Sequence, residues 1–139
     1  MRMNAYLSFR GDCEEAFEYY REHLGADVGQ LFRYAGSPMA DQAPADWGHK
    51  IMHGTVTIGG EPLMGGDVAP GDYQAPRGFS MSLALADTGK ADRIFRALSD
   101  GGTVQVPMAE TFWAARFGMV TDRFGIPWMI NCERPAATP

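Results

Sequence analysis

The chain is short of basic charge, of cysteine and of histidine, and it has no long apolar run. Lysine and arginine number 12 against 17 aspartates and glutamates, a net charge of −5. Phosphate backbones and anionic bilayers are held by Lys and Arg with release of counterions, so neither nucleic acid nor a membrane surface is expected as a partner. No stretch approaches the ~20 apolar residues that cross a bilayer. Residues 1–4 lead straight into a strand-like stretch, so no secretory signal is expected. The two cysteines, Cys13 and Cys132, lie far apart and form no CxxC motif, which points to a reducing, cytoplasmic setting. No glycine-rich strand–loop–helix of the nucleotide-binding kind occurs, so no cofactor is expected.

What is present is enough apolar residue for a core: 45% of 139 residues, the length of one domain. Tyr6-Leu7-Ser8-Phe9 reads as a strand. A helix follows, with Asp12 at the N-cap, Glu15 as the reciprocal partner of a capping box, and an apolar stripe of Cys13, Phe17, Tyr20 and Leu24 that ends at Gly25. Strands are expected over 27–34 and 50–58 and from Pro62. Between the first two lies a loop over 35–48, long enough to mark function or mobility. After a Gly/Pro-rich linker, 67–78, the pattern returns. A strand covers 79–86, and Asp87 or Thr88 caps a helix with the stripe Ala91, Ile94, Phe95 and Leu98. A short strand covers 103–107, and 117–121 with 128–132 form a hairpin. Residues match as well as elements. Gly60-Glu61-Pro62-Leu63-Met64 parallels Gly125-Ile126-Pro127-Trp128-Met129, and Gly54-Thr55-Val56-Thr57 parallels Gly118-Met119-Val120-Thr121. Two matches in order, inside matching patterns, indicate duplication.

Tyr6-Leu7-Ser8-Phe9 followed by Cys13-Glu14-Glu15-Ala16-Phe17, then Met52-His53-Gly54, and above all Phe117-Gly118-Met119-Val120-Thr121-Asp122 with Phe124-Gly125 and Trp128-Met129-Ile130, resemble the PhnB-like group of the vicinal-oxygen-chelate (glyoxalase/bleomycin-resistance/dioxygenase) superfamily over nearly the whole chain. The resemblance implies an α+β fold. Two βαβββ modules, about 3–66 and 79–133 of a single domain, would curl mixed sheets around a cavity with the helices outside. It also implies a small-molecule ligand and a homodimer, with Trp47, Tyr73 and Trp113 as natural contacts. Fold alone does not settle function. The superfamily includes metal-dependent isomerases, dioxygenases and thiol transferases as well as metal-free drug-binding proteins, so three readings stand open: a binding protein of unassigned chemistry, a lyase-, isomerase- or dioxygenase-type enzyme with His53 as acid–base, and an antibiotic-sequestering resistance protein.

Metal sites of the superfamily take one ligand from the first and last strand of each module. Here those positions map near Ala5, Met64, Ser80 and Met129, or one residue along. None is an ordinary ligand for a divalent ion, so no metal is expected. Strand alternation then assigns Leu7, Phe9, His53, Met64, Ser80, Ser82, Phe117, Met119, Met129 and Asn131 to the cavity wall, with the 35–48 loop at its mouth. His53 is the candidate acid–base group, since histidine as a residue type titrates near neutral pH, but with no carboxylate partner evident a packed histidine is the favoured reading. Trp113 and Arg116, near Glu110, form a cluster suited to an anionic or planar ligand or to a structural ion pair. Cys13 in the first turn of a helix has either a lowered thiol pKa or a packed thiol.

Overall fold

The computed structural model describes residues 1–134. They form two compact units, Met1–Gln74 and the residues from Ala75 onward. In the first unit the elements are β1 (Tyr6–Phe9), α1 (Cys13–Leu24), β2 (Asp27–Arg33), β3 (Ile51–Ile58) and β4 (Glu61–Asp67). In the second they are β5 (Met81–Leu85), α2 (Thr88–Ser99), β6 (Thr103–Ala109), β7 (Ala114–Thr121) and β8 (Pro127–Glu133). Each unit is an α+β βαβββ module with one open four-stranded mixed sheet, ordered β1-β4-β3-β2 and β5-β8-β7-β6. The outer pair β1–β4, like β5–β8, is parallel; the other neighbours are antiparallel.

Register carries the repeat into three dimensions. Thr55 faces Met64 in the first sheet, and their counterparts Met119 and Met129 face each other in the second. The parallel strand completes the same triplet, Tyr6 against Met64 and Ser82 against Met129.

The helices form because their apolar stripes have somewhere to go. Cys13, Ala16, Phe17, Tyr20 and Leu24 of α1 are buried, as are Ala91, Ile94, Phe95 and Leu98 of α2. From the sheets, Val56 and Leu63 face α1, while Val120, Trp128 and Ile130 face α2; all are buried. Each fully buried Leu, Ile or Phe contributes ~1.5–3 kcal/mol of transfer free energy. Gly25 ends α1 with φ +68° and returns its N–H to Tyr20, a conformation that side chains with a Cβ avoid.

Four sequence expectations are corrected here. Leu7 and Phe9 line the helix side, not the open side: they are 2% and 0% exposed, and the Phe9 ring meets Phe17 edge-on at 5.8 Å. Pairing of Tyr6, not Ala5, with Met64 shifts the parity of β1 by one residue. Asp12 stands at the N-cap of α1 but makes no side-chain cap. Asp67 takes that role from across the sheet, its Oδ1 accepting from Gly11 N at 3.0 Å and Cys13 N at 2.9 Å while Oδ2 accepts from Ile51 N at 2.9 Å. Asp67 therefore belongs to β4 and not to a linker. Asp87 does cap α2, accepting from Lys90 N. Strand limits also differ: β6 runs on to Ala109 and β7 begins at Ala114.

Candidate functional site

Each sheet has one face under its helix and one face left open, and the sequence candidates divide between them. On the open face of the first sheet, Tyr6, Thr55 and Met64 share a rung, with His53 two residues from Thr55. His53 is half-buried between two rings, stacked on Tyr6 at 5.7 Å and tilted toward Phe32 at 6.4 Å. Among the described residues it has no ion pair or hydrogen bond, so nothing orients one imidazole nitrogen as a base would need. Tyr6 lies over Gly66, where an added Cβ would stand 2.9 Å from its hydroxyl. Burial, and then the charges of Cys13, Tyr34 and Asp67, raise the pKa of that phenol.

The second sheet exchanges these sizes. Ser82 stands where Tyr6 stands and Asn131 where Gly66 stands, and a cleft opens further along toward the ends of β5 and β8. The cleft measures about 600 Å³ and is lined by residues that include Ala84, Ala86, Thr88, Ala115, Glu133 and Arg134. Asn131 is not among the lining residues, but two of its open-face neighbours are: Ala84, its cross-strand partner on β5, and Glu133, two residues along β8. The Asn131 Oδ1 is buried and has no hydrogen-bond partner. Burying an acceptor without a partner costs ~1–3 kcal/mol, which makes this atom conspicuous. Phe117 is the partner of Asn131 on β7, and Met119 faces Met129 one rung on. Trp113 meets Phe117 edge-on at 5.3 Å and Phe112 at 4.8 Å, and is itself 48% exposed. Ser80 lies just before β5, two residues from Ser82.

Arg116 is placed elsewhere. Because β7 starts at Ala114, Arg116 is a strand residue, and alternation turns it away from Phe117. It reaches α2 and donates to Asp92 Oδ1 through Nε at 3.0 Å and Nη2 at 2.9 Å. Glu110 pairs with Arg134 instead, at 2.7 Å. Cys13 is a packed thiol: burial, then the nearby Asp67, Asp12 and Glu14 charges, push its pKa well up, opposite to activation by the helix dipole. The 35–48 loop is tied at its ends by Ala35 N to Gly48 O, and its Trp47 packs toward Tyr34 and Lys50. Sequence reasoning missed Tyr6, Ala84, Ala86 and Glu133. The alternation of Leu83 and Leu85 with Ala84 and Ala86 was the available signal for the alanine floor.

At the positions expected for a metal, register sets Tyr6 rather than Ala5 beside Met64, and Ser82 rather than Ser80 beside Met129. A phenol, a hydroxyl and two thioethers do not suit a hard or borderline divalent ion. Among the described residues no group of three His, Cys, Asp or Glu is clustered for a metal.

With the two modules, their repeated register and the open faces in view, comparison with known proteins is direct. The chain belongs to the family described as 3-demethylubiquinone-9 3-methyltransferase, whose pattern matches residues 2–131, and it shares its fold with a glyoxylase/bleomycin resistance protein/dioxygenase domain from Frankia sp. EAN1pec, at 14% identity and a TM-score of 0.66 over 96% and 98% of the two chains. It is 34% identical over 146 residues to protein YjdN of Escherichia coli K12, covering 99% of each. Protein PA1353 of Pseudomonas aeruginosa has 44% identity and a TM-score of 0.85, over 97% of this chain and 99% of that one. A PhnB protein of Bacillus cereus shares the fold, with a TM-score of 0.81 at 21% identity over 94% and 98% of the two chains.

The family description names methyl transfer, yet the residues at the strand–helix junctions do not fit a nucleotide-like methyl donor. The N–H groups of Gly11 and Cys13 at α1 are held by Asp67, and the first turn of α2 by Asp87. No reaction step through such a donor follows from this site. No helix among the described residues is long and apolar enough to cross a membrane.

Proposed function

We propose that the chain is a small-molecule-binding protein without the superfamily metal, and that its ligand seats on the open face of the second sheet. The observation that carries this is a cleft of about 600 Å³ lined by Ala84 and Glu133, the open-face neighbours of Asn131. Pockets of that size, apolar with a few convergent polar groups, are the usual form of ligand sites. Beyond the cleft's own lining, the rest of this face would offer a larger ligand the hydroxyls of Ser80 and Ser82, the adaptable thioethers of Met119 and Met129, and the flat rings of Phe117 and Trp113. His53 and Met64 form an aromatic and thioether platform on the first sheet. The stacking of His53 supports packing better than proton transfer.

A homodimer and a cytoplasmic location complete the reading. Exposed Phe112 and Trp113 beside the edge strand β6 support an interface, since aromatics are favoured in interface cores. Free, buried thiols at Cys13 and Cys132 suit a reducing compartment.

A thermal-shift screen across metabolites and antibiotics tests the site. Compounds that raise the melting temperature of the wild type are expected to lose that effect with Asn131→Leu. Hits that stabilise both proteins equally place the ligand elsewhere and overturn the assignment. Assaying hits for product then separates stoichiometric binding from turnover.

A further inference from the structure

We draw no further inference here: the strongest candidate, the exposed aromatic patch of Tyr6 and Phe32 flanking His53 on the open face of the first sheet, carries none because it is an unpartnered apolar face and nothing in the structure shows what covers it.

Discussion

Removing the Asp67 carboxylate is expected to destabilise the first unit more than any surface change. Asp67 is 2% exposed and satisfies three backbone N–H groups from three places in the sequence: Gly11 before α1, Cys13 at its first residue, and Ile51 at the start of β3. Asp67→Ala leaves all of them without a partner. Each orphaned buried donor costs ~1–3 kcal/mol, so the total is on the order of 3 kcal/mol or more, a large part of the ~5–15 kcal/mol that holds a domain folded. Asp67→Asn keeps Oδ1 for Gly11 and Cys13 but turns an NH₂ toward the Ile51 N–H, so the loss should be one bond, ~1–3 kcal/mol. The order of stability is therefore wild type, Asp67→Asn, Asp67→Ala. Urea unfolding followed by tryptophan fluorescence measures it, with Trp47 reporting on the first unit. Cys13 supplies an independent readout, because its thiol is fully buried beside Asp67 and should react with a disulfide reagent faster in Asp67→Ala. An Asp67→Ala protein within about 0.5 kcal/mol of wild type, its thiol still protected, would refute the reasoning, since no mutational cost that small fits three orphaned donors.

Gly66→Ala should cost about 1–3 kcal/mol in the same urea assay, because the new Cβ would stand 2.5 Å from the Met52 carbonyl oxygen and 2.9 Å from the Tyr6 hydroxyl. Asp12 carries a carboxyl that burial holds above its ordinary pKa, against the smaller lowering effects of its backbone hydrogen bond and Arg10. The folded state thus binds that proton more tightly than the unfolded state. The ionised form costs stability at neutral pH, and the cost fades as pH falls through the raised folded value. Asp12→Asn should accordingly melt higher than wild type near neutral pH, with the gap closing toward about pH 4. Arg116→Met should leave binding of any cleft ligand unchanged, because Arg116 serves Asp92 on the helix side, and should cost at most about 1 kcal/mol of stability. Light scattering at micromolar concentration should give about twice the chain mass; a clean monomer would remove the dimer.

Much of the fold was legible because it is written in periodicity. The stripes of α1 and α2, the strand alternation of Val56 and Ile58, and the repeated hairpin segments all depend on near neighbours in the sequence. The open face was legible where alternation ran unbroken, as for Met119, Met129 and Asn131. It was not legible where one residue of register mattered. Tyr6 displaced Ala5, and with it Leu7 and Phe9 moved to the core, because only pairing with β4 sets the phase of a four-residue strand. Arg116 read as a loop residue until β7 was seen to begin at Ala114.

The sequence by itself determined the duplicated βαβββ plan and the apolar faces of both helices. Each is a matter of residue type at local spacing. Only tertiary structure decided which partner a polar group finds. Asp67 and not Asp12 holds the start of α1, 54 residues away in sequence from Cys13. Arg134 takes Glu110, Arg116 takes Asp92, and Asn131 Oδ1 is left with none. Hydrogen bonds and ion pairs need donor and acceptor within about 3 Å, and such distances between remote residues are set by how the strands register, not by their order along the chain.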